Sequence, residues 1–467
     1  MRPLSDDFYF GGGGDTLVTV PALCLFVVCS VLILSLPRKY VIMPFLMAGI
    51  LIPLGNQIVV GGLHFTLLRC LLAVGWVRMA WSAVMTHRDP FPGPLNSLDK
   101  VLIAWALSNA IMFTILWGAF QAFVNRLGFL YVTLGAYFLL RYLVRDRDDI
   151  IRAIATLAVI CVVLTVFMVP ERLTGHNSFS VLGGVKEISD VRYGKFRAQG
   201  PFLHSIIAGT FGAMLLPLFV ALWSGGKGHR TLGALGLASS LLITFVSSSS
   251  TPLMTILSGT LALCFWPFRK IMRAVRWGLV LALVLLQIVM KADVWFMLAR
   301  VGVLTGGSGW HRAELIDNFV RHFGDWWLAG TRDNASWGFF MWDTVNVYVT
   351  AGLSGGLITF FLFIAILVSA YRKIGLARRS AEGDRKSEWF VWALGATMFA
   401  NTMAFFGIAY FDQSVVGWYA FLAMISAASI LDAEPQTAHV DAQPIFQPGL
   451  PSADAGISLL GTGPAPP

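Results

Sequence analysis

The sequence predicts an all-α fold, a polytopic transmembrane helix bundle of about 12–13 spans with one large external loop containing short helices. Three observations predict it. The composition is 57% hydrophobic and 13% charged, with a mean hydropathy of +0.72, whereas a soluble chain is about a quarter charged. Apolar runs recur along most of the 467 residues, each near the roughly 20 residues that cross the hydrocarbon as a helix. Between about Lys291 and Phe340 the pattern is interrupted by GSGWHRAELIDNFVRHFGDWWLAGTRDN. So many charged groups must lie outside the hydrocarbon or line a wet cavity, because buried unpaired charge is costly there.

Residues 1–15 are acidic and Gly-rich and lack the basic region of a signal peptide, so the run at 16–36 is expected to be a retained span. Further spans are expected at 41–60, 63–84, 100–122, 126–144, 150–170, 202–223, 231–248, 251–268, 277–292, 344–371, 389–408 and 412–432. The short pair around Ser247 to Pro252 reads either as two spans or as one broken hairpin. Three divisions follow: an external N-terminal segment at 1–15, a helical domain at 16–432 with its large loop at about 292–343, and a tail at 433–467. The tail is rich in Ala, Pro and Gly and reads as disordered and cytoplasmic. Cys24, Cys29, Cys70, Cys161 and Cys264 all fall in apolar runs without a CxxC pair, which gives no disulfide framework or metal-ligand spacing.

The formal charge of +9 is explained by orientation rather than by nucleic acid, which is not an expected partner. Basic clusters at Arg38/Lys39, His87/Arg88, Arg141 to Arg152, Lys227/His229/Arg230, Arg269 to Arg276 and Arg372 to Lys386 alternate with less basic connections. That alternation is the positive-inside pattern of a multi-pass membrane protein, with membrane lipids as its surroundings. All six clusters can face the cytoplasm together. The N-terminus, the loop at about 171–199, the turn at Ser247 to Thr251 and the segment after Lys291 then lie on the opposite side.

Two external regions carry most of the remaining charge. One holds Lys186, Arg192, Lys195 and Arg197; the other holds Arg300, Arg312, Arg321 and Arg332 with Glu314, Asp317, Asp325, Asp333 and Asp343. External arginines run against the positive-inside bias. Either they grip a phosphorylated ligand, for which a planar guanidinium fork is suited, or each pairs with a nearby carboxylate or a lipid phosphate. Trp310, Trp326, Trp327, Trp337 and Trp342 crowd the same loop and read as membrane-interface anchors or as sugar-stacking faces. His204, two turns past Arg197 in the expected helix, faces the same cavity or is a satisfied helix histidine. Ser247 to Ser250 either contact phosphate or cap two helix ends, and Lys291 and Arg69 are cations at or near membrane depth. Motifs for ATP hydrolysis and zinc hydrolysis, GxxxxGK[ST] and HExxH, do not occur.

RAxGPFxHxIxAG entering a span at Arg197, HRxxLI opening the large loop at His311, and DTVNVYVTAGLSGGL entering the next span at Asp343 together resemble the O-antigen ligase and O-antigen polymerase superfamily. These are integral membrane glycosyltransferases of bacterial envelope polysaccharide assembly. The resemblance spans roughly 192–363. It implies transfer of a glycan from a polyprenyl (undecaprenyl) diphosphate donor to an acceptor hydroxyl on a glycan or lipid at the periplasmic face. It further implies inversion at the anomeric carbon, without a metal or other cofactor. Arg197 and Arg312 match the family's two diphosphate-binding arginines, which would neutralise the charge that develops as the sugar–phosphate bond breaks.

The chain departs from the family where many ligases carry a His-Asn pair near the end of the loop. Here Asp343, Thr344, Val345, Asn346 and Tyr348 precede the glycines Gly352, Gly355 and Gly356. Asp343 is the expected general base and His311 the competing one. The alternative for Asp343 is an ion pair with Arg332 or Arg312, and for His311 packing beside Trp310. Arg192, His204, Trp310, Arg332, Asn346 and Tyr348 are the expected substrate-binding residues. The competing class is a transporter or flippase for a lipid-linked oligosaccharide or an anionic solute, which would commonly show internal repeats around a midplane site; no convincing repeat is visible.

Overall fold

The computed structural model describes residues 16–87, 89–91, 93–300, 309–410 and 412–429. The N-terminal segment 1–15, Arg88, part of the large loop at 301–308 and the tail at 433–467 lie outside the described residues. Each of the thirteen apolar runs contains one helix: α1 Val20–Ser35, α2 Arg38–Leu51, α3 Leu67–Thr86, α4 Ser97–Trp117, α5 Phe120–Leu143, α6 Arg147–Thr174, α7 Ser205–Ser224, α8 Lys227–Val246, α9 Ser250–Cys264, α10 Met272–Val289, α13 Val347–Ser380, α14 Arg385–Ala404 and α15 Ser414–Ala428. Two short helices, α11 Gly309–Arg321 and α12 Phe323–Trp326, sit in the large loop. The protein is therefore an all-α polytopic helix bundle. Among the described residues, eight helices are long and apolar enough to cross a membrane, while α1, α9 and α15 are apolar but shorter.

One expected span is corrected. The run at 41–60 stops being helical at Leu51, and 57–66 forms an antiparallel hairpin, β1 Gln57–Val60 with β2 Leu63–Thr66, in the register Gln57↔Thr66 to Val60↔Leu63. Gly61 and Gly62, at φ +59° and +78°, make the turn, and a two-residue loop with positive φ at both positions selects glycine. The pair around Ser247 is likewise not a closed hairpin, since α9 packs on α7 and α14 more than on α8.

Helices α7 and α15 are buried along most of their length, which is why their sequences are apolar on every side. Helix α10 is the opposite case: no residue in it is buried, and its apolar side chains face outward.

Five of the six basic connections are joined by direct contacts at one end of the bundle. Arg38 Nη1 lies 2.8 Å from Asp149 Oδ2, Arg145 Nη2 donates to the Pro90 carbonyl (2.6 Å), and Arg147 Nη1 donates to Ser387 Oγ (2.5 Å). Arg269 Nε and Arg378 Nη1 both lie 3.0 Å from Glu388 Oε1. Trp389 Nε1 donates to Ser224 Oγ (2.9 Å), bringing the α7–α8 connection, which holds the sixth cluster, to the same end. Arg141 differs from its neighbours in sequence. It is fully buried, with Nη1 2.7 Å from Asp99 Oδ2, and Tyr137 donates its hydroxyl to the same carboxylate.

Candidate functional site

The opposite end carries the polar loops, and the first half of the site begins at the last turn of α6. Glu171, 1% exposed, accepts hydrogen bonds from Ser189 Oγ (2.6 Å), Gln199 N (2.8 Å) and Gly200 N (2.9 Å). Arg172 Nη1 donates to the Phe196 carbonyl at 2.5 Å. Between these anchors lies a second hairpin, β3 Val191–Arg192 with β4 Lys195–Phe196, turning through Tyr193 and Gly194 at φ +50° and +69°. Ala198 N then donates to the Val246 carbonyl at 3.2 Å, bringing Arg197 against the end of α8. The short hairpin and the Glu171 clamp thus fix where Arg192 and Arg197 stand. Glu171→Gln replaces an acceptor facing a backbone N–H with a donor. It is expected to cost about 1–3 kcal/mol, read as a lower thermal midpoint in detergent.

The second half is Arg312, on the buried face of α11 with Gly309, Ala313, Leu315 and Phe319. Its side chain is 6% exposed and donates from Nη1 to Ser250 Oγ at 3.3 Å. Behind it stands Gly407, where an added Cβ would lie 3.1 Å from Arg312 Nε and 2.7 Å from Thr251 Oγ1. Thr251 donates to the Gly407 carbonyl at 2.9 Å and locks that approach. Ser250 is the first residue of α9, whose N-cap Ser249 makes no side-chain capping bond. The open N–H groups of that first turn and the positive end of the helix dipole therefore lie beside Arg312.

The two halves meet at the turn between α8 and α9, where Ala198 N bonds to the Val246 carbonyl and Arg312 to Ser250 Oγ. Burial, and then the neighbouring Arg192, push the Arg312 guanidinium down to about 10. Burial and Arg192 also lower Arg197, with Asp190 pulling the other way. Arg192 is thus near enough to act on both. Among the described residues none of the three forms an ion pair with a carboxylate, and Nε of Arg197 and Nε of Arg312 are buried without a hydrogen-bond partner. Uncompensated buried cations cost several kcal/mol each. Buried Arg312 at the helix N-terminus, with the half-buried Arg197 and Arg192 acting beside it, suits a multiply charged anion.

His311 is also beside Arg312. Its Nε2 lies 3.1 Å from the backbone carbonyl of Asp343. A carbonyl only accepts, so Nε2 carries the proton, and in the neutral ring Nδ1 is the nitrogen with the lone pair. The Asp343 side chain is exposed and pairs with neither Arg312 nor Arg332, so the start and end of the loop are joined through backbone rather than through that carboxylate. Arg332 is exposed and donates to the Leu116 carbonyl at the end of α4, over Trp117. Tyr348 donates its hydroxyl to the Thr402 carbonyl at 2.9 Å and packs on Phe406. Asn346, fully buried, caps α13 by accepting from Tyr348 N and Val349 N, and its Nδ2 has no partner. Trp310 is exposed and packs against Phe296, while Trp337 is buried, stacks on His322 and donates to Asp325. His204 does not lie inside a helix: α7 starts at Ser205, and His204 is its exposed N-cap. The sequence reading missed Glu171, Thr251 and Gly407. It also missed Asp412, whose buried carboxylate accepts from Ser414 N and Leu203 N.

No family model matches the chain, and no curated protein matches it.

Proposed function

We propose that the protein is an inner-membrane glycosyltransferase of the O-antigen ligase/polymerase type, using a polyprenyl diphosphate-linked glycan as donor at the periplasmic face. The observation that carries this reading is Arg312 seated on Ser250 at the uncapped start of α9, with Arg197 held beside the end of α8 and Arg192 acting on both, none of the three ion-paired to a carboxylate among the described residues. Their end of the bundle is opposite the joined basic connections, which the positive-inside rule assigns to the cytoplasm. A diphosphate supplies the charge that such a cluster lacks, and charge-assisted guanidinium contacts hold it in place. The acceptor hydroxyl attacks the anomeric carbon while the bond from that carbon to the phosphate oxygen breaks. The electron pair leaves with the diphosphate, where the arginines stabilise it. His311 Nδ1, left free by the bond at Nε2, is the group placed beside Arg312 to take the hydroxyl proton.

The test is glycan transfer by the purified full-length protein. Transfer is expected from a polyprenyl diphosphate-linked glycan, with the polyprenyl diphosphate as co-product. No transfer under these conditions, with glycan export lost when the protein is deleted from cells, would instead support a flippase.

A further inference from the structure

A second cation without a carboxylate lies within the bundle, away from the site above. Arg126, half-buried on α5, donates from Nη1 to Asn109 Oδ1 at 2.9 Å and from Nη2 and Nε to Asn125 Oδ1 at 2.8 and 3.2 Å. Its guanidinium sits 3.7 Å from the centre of the Phe113 ring. No carboxylate pairs with it among the described residues. Three of its five N–H groups are spent on neutral amide oxygens, leaving one on each terminal nitrogen. Asn109 in turn donates to Ser354 Oγ on α13 (2.8 Å), so three helices brace the group.

Depth identifies the ligand class. Asn109 lies eight residues before the end of α4 and Arg126 six residues after the start of α5, about 10 Å along the helices from the end that carries the polar loops. Outward-facing Ile111 and Ile115 on α4 and Phe123 and Leu127 on α5 are exposed on the same two helices. A fixed charge at that depth, beside apolar surface and without a carboxylate, suits a counter-charge attached to a hydrocarbon chain. We propose that Arg126 is the anchor of a second site, which binds the phosphoryl group of a membrane lipid through its two remaining N–H groups. Arg332, docked on the Leu116 carbonyl at the end of α4, adds positive charge at the head-group end.

The chemistry fits a phospholipid or a polyprenyl phosphate. The experiment measures binding of phosphatidylglycerol and, separately, undecaprenyl phosphate to the purified full-length protein in an uncharged detergent by native mass spectrometry. No glycan is present, so the outcome does not depend on the transfer reaction. Arg126→Gln is expected to weaken binding of one of the two lipids at least about tenfold, the effect of losing a charge-assisted hydrogen bond. The same loss is expected when Arg126→Gln is made in an Arg312→Gln background, and the lipid affected identifies the source. Arg126→Lys keeps the charge but not the fork; if the Gln variant does not fold, weaker binding by the Lys variant supports the site. Unchanged binding of both lipids by the folded Arg126 variant would overturn it.

Discussion

Arg312→Gln is expected to lower glycan transfer about 10²–10³-fold, the effect of removing one group that stabilises charge developing in the transition state. The same variant is expected to keep or raise the thermal midpoint. Arg312 is buried, its Nε has no partner and it forms no ion pair among the described residues, so its charge is a cost to the empty protein. Gln removes that charge and gives up only one long hydrogen bond, to Ser250 Oγ at 3.3 Å. Opposite movements of activity and stability separate a ligand-binding arginine from a structural one. Arg312→Lys is expected to recover little, because a point charge does not reproduce two-pronged contact with a diphosphate. Wild-type transfer by Arg312→Gln, or a clear fall in its midpoint, would place the residue in the scaffold instead.

The second large effect is structural. Gly356→Ala is expected to destabilise the protein by about 3 kcal/mol or more, seen as a lower midpoint and lower yield. Gly356 interrupts α13 at φ +70° and ψ −167°, a backbone region essentially reserved for glycine. An added Cβ there would lie 2.5 Å from the Leu328 carbonyl oxygen. The break lets the large loop dock: Leu357 N donates to the Trp327 carbonyl (2.8 Å), and Thr331 N to the Leu353 carbonyl (3.0 Å). Backbone groups freed from the helix are thereby satisfied by the loop, the same loop whose first helix presents Arg312. Gly278→Ala on α10 meets nothing within 4 Å and is expected to be neutral or slightly stabilising. Equal loss in both variants would contradict this account.

These residues also show what the sequence makes legible. Thirteen apolar runs lead to thirteen helices because lipid leaves a continuous apolar segment almost no other way to satisfy its backbone. The hairpin at 57–66 was hidden because QIVV and LHFT extend the neighbouring apolar runs, although Gly61–Gly62 between them is a turn signal. Arg197 and Arg312 were legible as external cations, and the structure brings both within the influence of Arg192. Their convergence was not legible, since it depends on Glu171 closing one loop and on α9 starting beside another. Gly407 shows the same limit: its value lies in the absence of a side chain beside Arg312, which no local pattern announces. Arg126 was overlooked because its partner Asn109 lies on another helix, and Ser354, which accepts from Asn109, is more distant still in sequence.

The central claim is that Arg192, Arg197 and Arg312 together hold a lipid diphosphate. Its most direct test is the affinity of the purified protein for undecaprenyl diphosphate, measured for the wild type and for Arg197→Gln and Arg312→Gln. Each substitution is expected to weaken binding at least about tenfold, with the thermal midpoint preserved for Arg312→Gln. Wild-type affinity in both folded variants would contradict the account.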